Sequence, residues 1–199
     1  MSEPSLSSSG GVFPVYTLLE FDAPITAEDV WNVLMDFESY GSWNPFIREQ
    51  TFLSSSKDQP KPGQQMLLTV HTPPQLSDPY FLLRSFQVSQ TVVQLKVVDH
   101  ENHRLAWRTT SSSFPEWFLW CERWQMITAN EKRENLNDSD AKAGCKYESY
   151  EVFGGLLAYV MWILCVKVLL LRGVVEMAEA LKKRTEKISA FFIRRVSCS

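Results

Sequence analysis

The sequence has only three histidines, and its four cysteines, Cys121, Cys145, Cys165 and Cys198, include no C-x-x-C pair. A paired-cysteine zinc or redox motif is therefore absent. His100 and His103 sit in an expected turn with no third ligand in view, so no metal site is expected there. His71 falls on an expected strand as an ordinary polar group. No run of lysine and arginine interleaved with aromatics occurs, and with a net charge of −3 no nucleic-acid partner is expected. Glycine-rich phosphate loops, a dinucleotide fingerprint and a Ser-His-Asp order are missing as well, which leaves no cofactor to expect. Met1 to Gly11 is serine-rich with no apolar stretch, so no secretory leader is expected. The scattered cysteines read as small buried hydrophobes of a reducing, intracellular compartment, which points to the cytoplasm.

Proline is missing from Gly155 to Arg195, and this stretch organises the rest of the chain. Leu156, Tyr159, Ile163, Val166, Leu170, Val174, Met177, Leu181, Ile188 and Phe192 recur at helical spacing and predict one long helix. A helix of that length would span on the order of 60 Å, so a bend near Gly173 or a protruding end is expected. After Leu171 the opposite face is solvated, with Glu179 and Lys183 at a favourable spacing. Before Leu171 that face carries Ala158, Met161, Trp162, Cys165, Val168 and Leu169, so the first half is apolar all round. It calls for a cover: a sheet with a hydrophobic ligand, a membrane or a partner. A bilayer span is not expected, because Lys167 lies inside the segment and Arg172 closes it.

The chain is 45 % hydrophobic and 13 % aromatic, ample for one core. Residues 1 to 12 read as a disordered serine-rich tail and residues 13 to 195 as a single domain. Val15 to Phe21 reads as a strand, and Thr26 with Asp29 opens a short helix. A second helical turn follows around Tyr40, with Trp43, Asn44 and Pro45 as a corner. Strands are expected at Ile47 to Leu53, Gln64 to Thr72, Thr91 to Val98, Arg104 to Thr110, Trp117 to Thr128 and Cys145 to Phe153. Tyr80 to Gln90 has no clear assignment. Seven antiparallel strands before a long apolar helix have one simple solution, an α+β architecture in which the sheet curls around the helix. Two short helices cannot fill such a sheet, so a cavity between sheet and helix is expected.

The stretch FDAPITAEDVWNVLMDFESYGSWNPFIR resembles the opening of the SRPBCC superfamily. Those helix-grip proteins include START lipid-transfer domains, birch-pollen-allergen-like proteins and polyketide cyclases. RGVVEMAEALKKRTE is similar to the end of the long helix in the polyketide cyclase/dehydrase branch. The resemblance spans Val15 to about Lys187 and implies a helix-grip fold, but says little of reaction, because the family holds carriers, cyclases, hydrolases and chaperone regulators. Three features depart from it: extra chain over Pro73 to Gln90, a long loop over Asn130 to Gly144, and a helix whose first half is unusually apolar.

Strand alternation puts Trp120, Glu122, Trp124 and Met126 on one face, and Cys145, Tyr147, Ser149 and Glu151 on one face of the next strand. The resemblance implies that these faces line the cavity, and that relatives often carry histidine where Glu122 and Ser149 stand. Glu122 and Glu151 could then form a carboxyl pair suited to proton transfer on a carbonyl-rich substrate, with Tyr147 helping. Alternatively they pair with Arg123, Lys146 or another base and only fix strand register. Trp120, Trp124, Met126, Ser149, Trp107, Leu170, Val174 and Met177 are the expected ligand-binding residues. The Trp117 to Trp120 cluster covers the mouth or simply divides between core and solvent.

Three functions remain open. The first is a binder of a polyketide-like or lipid-like molecule in secondary-metabolite or lipid metabolism. The second is a polyketide cyclase or dehydratase using inward carboxylates. The third is a membrane-associated or chaperone-regulating module that makes a peripheral membrane or protein contact through residues 158 to 169.

Overall fold

In a computed structural model of the chain, residues 10–54, 59–77, 87–130 and 144–196 are described, with side chains to Phe191. The expected tail up to residue 9, parts of the expected loops (78–86 and 131–143) and the side chain of Phe192 lie outside them. Strand β1 (Gly11–Phe21) begins two residues inside the stretch expected as tail. Helix α1 (Ala27–Met35) starts where Thr26 caps it: the Asp29 N–H donates to Thr26 Oγ1, and the Thr26 N–H to Asp29 Oδ2. Its buried face is Val30, Trp31, Val33 and Leu34. A 3-10 turn leads into the single-turn α2 (Tyr40–Trp43). At the corner after it, Asn44 Oδ1 accepts from the backbone N–H of Phe46 and of Ile47, which turns the chain into β2 (Ile47–Phe52).

Strands β3 (Gln65–His71), β4 (Val88–Asp99), β5 (Arg104–Thr109), β6 (Trp120–Ala129) and β7 (Cys145–Gly154) complete an antiparallel sheet ordered β1-β7-β6-β5-β4-β3-β2. The first strand thus closes on the last, and everything between is a meander. Helices α3 (Leu156–Ile163) and α4 (Val166–Val196) follow. Leu170, Val174, Met177, Ala178 and Leu181 of α4 are buried at three-and-four spacing, so one stripe of the helix faces the sheet's inner surface. This is the expected helix-grip architecture.

The bend is not at Gly173. It lies at Leu164-Cys165, where α3 and α4 meet at 89° and Cys165 takes a φ of 56°, a left-handed conformation uncommon for a side chain of any size. Gly173 has the opposite role: a Cβ there would stand 2.3 Å from the Phe46 ring, so its absence lets α4 seat against the corner after α2. The expected comb also fails at its start. In α3 the buried residue is Ala158, while Leu156, Tyr159 and Ile163 are exposed.

Candidate functional site

The inner face of the sheet beneath α4 brings together four buried polar side chains, Arg123, Gln125, Ser149 and Glu151. In an antiparallel pair, residues directly opposite share a face. Glu151 of β7 stands opposite Arg123 of β6, Ser149 opposite Gln125, and Tyr147 opposite Ile127; on the far side Trp107 of β5 stands opposite Arg123. All of these are buried. One inner row therefore runs Val15, Glu151, Arg123, Trp107 and Leu95 across five strands.

This register corrects the expected facing of β6. Trp120, Glu122, Trp124 and Met126 do share a face, but it is the outer one, half-buried and turned away from α4. Alternation yields two sets without saying which points inward, and a shift of one residue exchanges them. Glu122 is held outside by Arg108 at 3.2 Å and by the Trp124 indole N–H at 2.8 Å, while Trp120 lies beneath the Arg108 guanidinium. Glu122 and Glu151 thus lie on opposite sides of the sheet and form no carboxyl pair. The inward charged residue of β6 is Arg123, expected only as a pairing base. Its signal was present: Cys121 and Ile127, types that favour burial, share its face. Ser149, Glu151, Tyr147, Trp107, Leu170, Val174 and Met177 do lie on the inner side.

Arg123 is wholly buried. Its Nε donates to Ser149 Oγ at 3.0 Å and its Nη2 approaches Met177 Sδ of α4 at 3.3 Å, whereas Nη1 has no hydrogen-bond partner among the described residues. Glu151 is similarly half-satisfied: the Cys121 thiol donates to Oε1 at 3.0 Å, and Oε2 has no hydrogen-bond partner among the described residues. Tyr147 donates to Gln125 Oε1 at 2.8 Å, and Tyr40 of α2 to the Leu34 carbonyl at 2.7 Å. Burial works against the charge on Arg123, but Tyr147 and Glu151 beside it outweigh that and hold its pKa above the ordinary value. Burial, reinforced by Glu151, pushes the Cys121 thiol well up. It also raises Tyr147, with Arg123 opposing. The result is a fixed cation among neutral thiol and phenol groups, able to donate to a ligand oxygen.

The remaining candidates are engaged elsewhere. The Trp31 indole N–H donates to His100 Nδ1 at 3.2 Å, and His103 Nε2 lies 2.9 Å from Glu28 Oε2, so both histidines tie the β4–β5 turn to α1. Among the described residues no group of three or more His, Cys, Asp or Glu could hold a metal ion. A polar depression of about 800 Å³ on the outer face includes Arg108, Glu116 and Glu122, and one of about 340 Å³ between α1 and α4 includes Asp36 and Arg184. Neither reaches Arg123.

Comparison with solved structures defines the fold class. A START superfamily protein from Mycobacterium smegmatis superimposes with a TM-score of 0.55 at 16 % identity, covering 88 % of this chain and 98 % of its own. The ZhuI aromatase/cyclase from Streptomyces sp. R1128 does so with 0.53 at 13 % identity, covering 88 % and 95 %. The chain has an SRPBCC-type helix-grip fold. In sequence it is 29 % identical over 143 residues to the oxopyrrolidines biosynthesis cluster protein O of Penicillium oxalicum, which covers 68 % of this chain and 69 % of that protein. No protein-family model matches the chain.

Proposed function

We propose that the chain binds a hydrophobic, polyketide-like or lipid-like molecule between the sheet and α4, in the service of secondary-metabolite biosynthesis. The observation that carries this reading is the pair of unpartnered buried atoms in one inner row, Arg123 Nη1 and Glu151 Oε2. A buried polar atom left without a partner costs about 1–3 kcal/mol, and more when charged, so a ligand oxygen donating to or accepting from this row gains what the protein leaves unmade. Trp107, Leu170, Val174 and Met177 supply apolar walls around it, and Ser149 holds the guanidinium in place. The likeness to a biosynthesis cluster protein and to the fold of an aromatase/cyclase supports the same class of ligand. Native mass spectrometry of the gently purified chain should find a bound small molecule that Arg123→Met and the milder Ser149→Ala both lose. A wild-type chain that carries none, and takes up no hydrophobic fluorescent probe that these substitutions weaken, would overturn the reading.

A second reading rests on Glu151 and Tyr147 lying beside Arg123. A carboxyl group with a free oxygen next to a fixed cation could exchange a proton with a carbonyl-rich substrate while Arg123 holds the developing oxyanion, as a cyclase/dehydratase requires. Glu151→Gln then separates the readings. If the chain is a dehydratase, the molecule recovered from the variant is heavier by one water than that recovered from wild type. Cyclisation without loss of water leaves the mass unchanged and shows instead as a changed retention time and ultraviolet spectrum, so equal mass, retention and spectrum leave the binder.

A further inference from the structure

The apolar elbow between α3 and α4 is unaccounted for by an interior site. Ile163 and Leu164 at its tip are 70 % and 69 % exposed, and Tyr159, Trp162 and Val168 flank them in the open. The Leu156 N–H donates to the Trp117 carbonyl at 3.0 Å, which sets Trp117, itself 70 % exposed, beside the same surface. Apolar surface this continuous is unusual on a monomer unless something covers it.

Charge identifies the cover. The whole stretch between Glu151 and Glu176 contains no acidic residue, in a chain whose net charge is −3; its only charges are Lys167 and Arg172. Arg172 pairs with Glu176 at 2.6 Å, whereas Lys167 makes no ion pair among the described residues. The nearby acid, Glu116, is engaged by Arg108 at 3.4 Å. A lysine amid exposed leucine, valine and isoleucine is awkward against the apolar core of a protein interface. It suits a bilayer, where the stem lies along acyl chains and the ammonium reaches headgroup phosphates. Tryptophan and tyrosine around the rim favour the same headgroup level. No single described helix is long and apolar enough to cross a membrane, and the bent pair that passes by length and composition turns through 89° at the break after Ile163.

We propose that the α3–α4 elbow, with Trp117 beside it, is an interfacial docking surface for a bilayer containing anionic lipid. The proposal is independent of the interior ligand. The full chain is floated with phosphatidylcholine vesicles that contain or lack phosphatidylserine. It co-floats with the anionic vesicles, and an Ile163→Ser/Leu164→Ser variant lowers the bound fraction at least about ten-fold at an unchanged melting temperature. Lys167→Glu weakens binding several-fold on anionic vesicles and little on neutral ones. Failure of the wild-type chain to float, or equal binding by the double variant, overturns the proposal. So does light scattering that finds a dimer which the double variant converts to monomer, since the elbow would then cover itself with a second copy.

Discussion

Leu181 and Ile163 occupy equivalent places in one sequence pattern, yet the fold treats them oppositely. Leu181 is wholly buried against the sheet, and Ile163 stands in the open at the elbow. Helical spacing alone says which residues share a face; it does not say how far the facing partner extends. In α4 the sheet, α1 and the corner at Phe46 lie beneath the stripe. In α3 the chain has turned through 89° and runs off that support, so only Ala158 remains buried. The comparison teaches that an apolar comb is a statement about a face, and that its burial depends on the partner's length.

The hardest test of this contrast is Leu181→Asp. It places a carboxylate among Val174, Met177 and Ala178 with no cation designed to meet it, and the cost of burying an unpaired charge, roughly 4 kcal/mol or more, takes up most of the stability of a domain this size. Loss of the cooperative unfolding transition in circular dichroism is the expected outcome. A folded variant with a melting temperature near wild type would mean that α4 does not seat on the sheet.

The second test compares neighbours on β6. Arg123→Met removes a buried cation, keeps much of its length, and leaves Ser149 Oγ and the Glu151 carboxyl without it. About 2–4 kcal/mol of stability should be lost, below the full cost of breaking a direct buried ion pair because no such pair closes between Arg123 and Glu151. Glu122→Gln, one residue away, gives up only a partly exposed contact to Arg108 and should cost under about 1 kcal/mol. Chemical denaturation of both variants measures the difference. Equal losses would contradict the assignment of the two faces.

The sequence made the architecture legible because it rests on redundant signals. Seven alternating strands, the Thr26–Asp29 capping box and the stripe from Leu170 to Leu181 each report one element, and they agree on one packing. The inner row was half legible. Tyr147, Ser149 and Glu151 lie inward as expected, but on β6 the resemblance points to the wrong one of the two alternating sets, the one that carries Trp120, Trp124 and Met126. The outer surface tolerates them through contacts no local pattern reports: Arg108 over the Trp120 ring and Glu122 accepting from the Trp124 indole N–H. The bend was misplaced for a related reason. A glycine in a helix suggests weakness, yet Gly173 is a close-approach site for Phe46, while the break falls at a cysteine whose left-handed φ nothing in the sequence announces.

The smallest expected effect closes the comparison from the other side. Ile163→Asp makes the same kind of change as Leu181→Asp at the same kind of comb position, but at a side chain 70 % exposed. Little apolar area leaves water in the native chain at this position, so little transfer energy is lost. Isoleucine and aspartate also have similar helix propensities, which removes the local term. What remains is a carboxylate at the last residue of α3, where it faces the negative end of a short helix at a cost of a few tenths of a kcal/mol. The melting temperature in vesicle-free buffer should therefore move by no more than about 2 °C, the equivalent of ~0.5 kcal/mol for a domain of this length. A large fall would show that Ile163 is covered in the free protein, and the elbow would then belong to the core with Leu181 instead of standing apart from it.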